Sequence, residues 1–121
     1  MATKAELYLH LLQELKKSSN DILSTAIVTN DGLVMSSASS NGIDNETFAA
    51  YGAATFRYAG ETMEELSKET NDTLLCESKN HRVMIIRSGD DALLVVMTGK
   101  NAQMGLVLFE MQKAAQKIKE I

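Results

Sequence analysis

The chain contains no proline and no tryptophan, only one cysteine and two histidines, and aromatic residues make up 5% of it. The single thiol, Cys76, cannot form an internal disulfide and is harmless in a reducing compartment, so a cytoplasmic protein is expected. His10 and His81 fall on different predicted elements with no second thiol beside them, which leaves neither a zinc-ligand set nor a Cys/His nucleophile pair. No apolar run approaches the roughly 18 residues of a membrane span. The N-terminal MATKAELYLHLL is interrupted by charge and carries no cleavage-site pattern, so neither membrane insertion nor a leader is expected. The formal charge of -4 comes without a Lys/Arg cluster, which argues against nucleic acid, whose backbone is bound by neutralising phosphates.

Catalytic patterns are missing as well. A P-loop needs a glycine five residues before its Gly-Lys and a hydroxyl after it; here Gly99-Lys100 is preceded at that spacing by Leu94 and followed by Asn101. Asp90-Asp91 stands beside Gly89, where Asp serves turns, and Ser36-Ser37 and Ser39-Ser40 lack the setting of a nucleophile elbow. No enzymatic activity, cofactor or metal is expected.

What is present is a periodic pattern across 121 residues, a length that fits a single domain over 1–121. Thr3 and Glu6 have capping-box spacing ahead of Leu7, Leu11, Leu12 and Leu15, which predicts a first helix of about four turns. Ile22 to Thr29 and Leu33 to Ala38 read as strands joined by Asn30-Asp31-Gly32, residues that tolerate a hairpin turn. After a Ser39–Gly42 loop, Asp44 or Asn45 caps a helix running to Leu66 or Ser67. Thr73 to Ser78, Arg82 to Ser88 and Ala92 to Thr98 read as a three-stranded meander, and the unbroken apolar runs VMIIR and ALLVVM imply cover on both faces. Asn101 is the expected cap of a last helix whose Met104, Val107, Leu108, Met111, Ala115 and Ile118 share one side. The fold class is therefore α+β: one five-stranded antiparallel sheet with the first and last helices on one face and the middle helix on the other.

The middle helix has more than one distinctive face. Phe48, Gly52, Phe56, Ala59, Met63 and Leu66 fall on an arc suited to the sheet. Tyr51, Ala54, Thr55, Tyr58 and Thr62 form a neighbouring stripe in which small residues allow close approach and Tyr combines apolar area with a polar tip, a candidate self-association surface. The same spacing fits a helix sunk between sheet and loops with its Tyr hydroxyls satisfied locally. Ala50, Arg57, Glu61, Glu64 and Glu65 form a solvated outer arc. Cys76, in TLLCES, reads either as a small buried or half-buried strand residue or as a contact near a dimer axis.

The hairpin IVTNDGLVMSS, the Ala-rich middle helix with TFAAYGAATFRYAG, the strand VMIIR and the terminal LLVVMTGKNAQMGLVLFEMQKAAQKI together resemble the Roadblock/dynein light chain family over nearly the whole chain. The resemblance implies strand order 2-1-5-4-3 and a homodimer or heterodimer joined through third strands and middle helices. It places Leu74, Leu75, Cys76 and Glu77 at the seam beside Tyr51, Ala54, Thr55 and Tyr58. It also implies a non-catalytic scaffold that binds a small Ras-like GTPase and modulates hydrolysis or exchange, with Ala50, Arg57 and Glu61 as candidate contacts. Two other readings stay open. One is a small-molecule sensor of PAS- or GAF-like type, which needs a pocket with convergent polar groups; the other is a structural light-chain subunit of a larger complex.

Overall fold

A computed structural model describes residues 1–39 and 42–121; Ser40 and Asn41, in the expected loop after the hairpin, lie outside the described residues. The element order is α1 (Lys4–Lys17), β1 (Ile22–Thr29), β2 (Val34–Ser39), α2 (Asn45–Ser67), β3 (Thr73–Glu77), β4 (His81–Ser88), β5 (Ala92–Gly99) and α3 (Met104–Glu120). The strands form one antiparallel sheet ordered β2-β1-β5-β4-β3, as expected, with β2 and β3 at its two edges.

Local chemistry explains most boundaries. The Thr3 hydroxyl accepts from the Glu6 amide while Glu6 reaches back to Thr3, completing the capping box of α1. Gly32 takes φ 93° and donates its amide to the Thr29 carbonyl at 2.9 Å, closing the hairpin, and a Cβ there would stand 3.1 Å from Ala50 Cα of α2. Helix α3 differs from expectation: Asn101 does not cap it, because the Asn101 amide donates to the Asp21 carboxylate at 3.0 Å. The helix starts at Met104 behind Gln103, which makes no side-chain capping bond.

Two cores flank the sheet. Leu12, Leu15, Ile27, Met84, Leu94, Val107 and Met111 pack beneath α1 and α3, while Val28, Phe48, Ala53, Phe56, Ile85 and Val95 pack beneath α2. Alternate residues of β4 and β5 feed opposite cores, which is why both strands read as unbroken apolar runs. Tyr8 rather than Leu7 supplies the first turn of α1 to the core.

One part of the expected core is corrected. Met63 is 42% exposed and Leu66 78% exposed, although both lie on the sheet-facing arc of α2. A helix of 23 residues is about 35 Å long, whereas strands of eight residues span about 27 Å. The last turns of α2 therefore outrun the sheet, and every residue from 61 to 67 is exposed.

Where α2 leaves the sheet, Asn71 is buried at 7% exposure and donates its side-chain amide to the Phe56 carbonyl at 3.2 Å. A Cβ on Gly60 would stand 2.8 Å from Asn71 Oδ1. Gly60→Ala gains about 1 kcal/mol of helix propensity but forces the amide away at a cost of roughly 1–3 kcal/mol. A net destabilisation is expected in urea unfolding; a more stable variant would show that Asn71 swings clear without loss.

Candidate functional site

Helix α2 leaves the β3 side of its sheet face uncovered. Between α2 and the edge lies an open groove of about 420 Å³, with Phe48, Tyr51 and Thr55 on the helix side and Cys76, Val83 and Met97 on the strand side. Its walls are almost wholly apolar. Asp44, at one end, is already engaged: the Thr47 hydroxyl and amide both donate to its carboxylate and hold its pKa below the ordinary carboxylate value. Convergent polar groups of the kind a small-molecule sensor needs do not line this groove.

Tyr51 is 72% and Tyr58 64% exposed, with Thr55 exposed beside them and Ala54 half-buried. Their hydroxyl-bearing rings are not sunk into loops, so the stripe stands free. The Thr55 hydroxyl donates to the Tyr51 carbonyl at 2.7 Å and is thereby satisfied within the helix.

Strand β3 divides the expected seam residues between the two faces of the sheet. Leu74 pairs with Ile85 and Cys76 with Val83, on the α2 side; Leu75 pairs with Met84, on the α1/α3 side. Glu77 forms an ion pair with its cross-strand neighbour Arg82. Cys76 is exposed, which corrects the reading of a buried or half-buried strand residue, because β3 is an edge and α2 does not reach over it.

Arg57 and Glu61 come together on the opposite flank of α2, in a second groove of about 660 Å³ that also takes in Asp31, Glu64 and Arg87. Ala50 lies apart from them, against the hairpin turn. The Arg57 guanidinium sits 5.5 Å from the Tyr58 ring centroid, and Arg87 lies 5.2 Å from that of Phe56. Sequence reasoning missed Arg87 as a neighbour of α2; its place in an apolar strand carried no signal of the Phe56 ring beneath it.

Among the described residues, no group of three or more His, Cys, Asp or Glu is placed to hold a metal ion, and no helix is long and apolar enough to cross a membrane.

A family model described as Roadblock/LC7 domain matches residues 8–98. The uncharacterized protein MJ1340 of Methanocaldococcus jannaschii is 31% identical over 109 residues, covering 90% of this chain and 94% of that protein. Solved structures that share the fold include the following two. One described as MglB with tetrameric arrangement has a TM-score of 0.91 at 15% identity, covering 99% of this chain and 90% of that one. The gliding protein MglB from Thermus thermophilus has a TM-score of 0.88 at 14% identity, covering 99% and 91%.

Proposed function

The chain belongs to the Roadblock/LC7 domain family, and on that premise we propose that two copies join through β3 and α2 into a cytoplasmic, non-catalytic platform for a small Ras-like GTPase. The observation that carries this reading is the pairing of a free edge strand with an apolar groove and an exposed Tyr stripe, all on one side of the molecule. An open strand edge invites addition of another strand, and aromatic residues over small ones suit an interface core. Joining copies along β3 covers both features at once and leaves the outer arc with Ala50, Arg57 and Glu61 facing outward for the GTPase.

Carboxylates outnumber guanidinium groups in the second groove, where Asp31, Glu61, Glu64 and Glu65 face Arg57 and Arg87. A GTPase surface with basic residues complements it and associates faster at low salt. The reading is tested by mixing the protein with Ras-like GTPases of its host, loaded with GDP or GTP. Binding in either state supports it, and absence of binding in both contradicts it.

Hydrolysis, where it is stimulated, proceeds by rearranging the GTPase's own residues rather than by an arginine supplied from this chain. An arginine finger is worth 10³–10⁵-fold in rate, but Arg57 is held over Tyr58 on its own helix. Arg57→Ala is expected to leave stimulated turnover within about threefold of wild type, since an exposed rim contact contributes little. A loss of a hundredfold or more with binding intact would assign Arg57 the finger role.

A further inference from the structure

The second groove, on the Arg57 flank of α2, carries hydrogen-bonding groups that the chain itself does not satisfy. Among the described residues, two buried side-chain polar atoms have no hydrogen-bond partner, Asn71 Oδ1 and Arg87 Nε, and both residues line this groove. Buried polar groups in folded proteins are almost always paired, so an orphan acceptor and an orphan donor in one groove point to a ligand that supplies both. Asn71 is 7% exposed, and its amide nitrogen is already committed to the Phe56 carbonyl at 3.2 Å, which fixes the side chain with its oxygen unpaired. That oxygen lies against Gly60, where α2 has no side chain to cover it; a Cβ there would stand 2.8 Å away. Arg87 is anchored over the Phe56 ring and donates from Nη2 to the Asn71 carbonyl at 3.4 Å, which leaves Nε as the spare donor beside the same residue.

The rim adds charge. Asp31, Glu61, Glu64 and Glu65 line the groove with Arg57 and Arg87, so carboxylates are in excess. The two ion pairs among the described residues, Arg82 with Glu77 and Lys113 with Glu110, lie elsewhere, and both arginines of the groove are held over rings instead. No three carboxylates among the described residues gather as a metal ion requires. The excess negative charge therefore suits cations spread along a chain rather than a single ion.

A peptide main chain carries one N–H and one C=O per residue, the two groups that Asn71 Oδ1 and Arg87 Nε lack. We propose that the second groove binds an extended basic peptide segment. A main-chain amide of the segment donates to Asn71 Oδ1, a main-chain carbonyl accepts from Arg87 Nε, and Lys or Arg side chains meet the rim carboxylates. A linear polyamine matches the rim but offers Arg87 no acceptor, and an acidic peptide matches Arg87 but is repelled by the rim. The site is built within one chain and depends neither on the homodimer nor on the GTPase.

The test titrates the isotope-labelled chain with the end-blocked peptide Lys-Gly-Lys-Gly-Lys and, separately, with spermidine, which has the same positive charge and no carbonyl. The Arg87 Nε–H and Asn71 side-chain amide signals are followed by NMR. The peptide is expected to bind saturably and to move both signals, with spermidine at least about tenfold weaker, because charge-assisted hydrogen bonds to Arg87 are open to the peptide alone. Arg87→Lys keeps the charge but removes Nε, and is expected to weaken the peptide about fivefold or more while leaving spermidine unchanged. Glu61→Gln with Glu64→Gln, both on exposed side chains, is expected to weaken both ligands by about tenfold, and it gives an independent answer if Arg87→Lys does not fold. No saturable peptide binding, spermidine binding as tightly as the peptide, or peptide affinity indifferent to Arg87→Lys in a folded protein each overturns main-chain recognition. GTPase binding alongside any of these results leaves the proposed function standing and removes this site alone.

Discussion

Cys76→Glu is expected to turn the proposed homodimer into a folded monomer, with self-association weakened by about a hundredfold or more at neutral pH. The residue is exposed on an edge strand, so the isolated chain keeps its core and gains only a solvated carboxylate. In the proposed homodimer the same carboxylate would lie at the seam on the α2 face, beside an apolar groove lined by Val83, Ile85 and Met97. It would be desolvated there without a counter-ion, and two-fold symmetry makes each copy contribute one such charge. Removing a carboxylate from water without a partner costs several kcal/mol, more than enough for the hundredfold loss. Sedimentation velocity over a concentration series, paired with circular dichroism, checks both halves of the expectation. Unchanged self-association would move the seam away from β3, and loss of the folded spectrum would show that Cys76 supports the monomer.

Leu94→Ala is expected to destabilise the protein by about 2–5 kcal/mol and to lower its melting temperature by roughly 10 °C or more. Leu94 is fully buried on β5, paired with Ile27 of β1 and Ile86 of β4, and packed in the core beneath α1 and α3. Hydrogen-bonded strands on both sides prevent the backbone from closing on the cavity, so most of the lost contact is not recovered. Leu33→Ala is the control: Leu33 is 68% exposed beside the hairpin turn, and its truncation should stay within about 0.5 kcal/mol. Urea unfolding with both variants measures the difference. Equal midpoints would contradict the placement of Leu94 between the sheet and its two helices.

Elements whose residues answer to local chemistry were legible in the sequence. The Thr3–Glu6 capping box, the Asn30-Asp31-Gly32 turn and the apolar runs of β4 and β5 each carry their own signal, and all appear where expected. Strand order came from the family resemblance, because pairing between distant strands leaves no mark in any one segment. Other features depend on how the elements pack together. Helical periodicity assigns Met63 and Leu66 to the core but does not say where the sheet ends, and only the mismatch between the lengths of α2 and the strands exposes them. Cys76 sits in a strand that looks like any half-apolar strand, and its exposure follows from being outermost in the sheet and beyond the reach of α2. The Tyr51–Tyr58 stripe was legible as a face of α2, whereas the groove beside it was not, since that groove is formed by three strands and a helix together.

The central claim is that the GTPase is met by a surface two copies make together, and a calorimetric titration of GTPase into wild type and into Cys76→Glu tests it most directly. The account predicts saturable binding to wild type and a loss of at least about tenfold in affinity with the monomeric variant, because half of the paired surface is gone. Binding of equal strength to both proteins would contradict it and place the contact within a single chain.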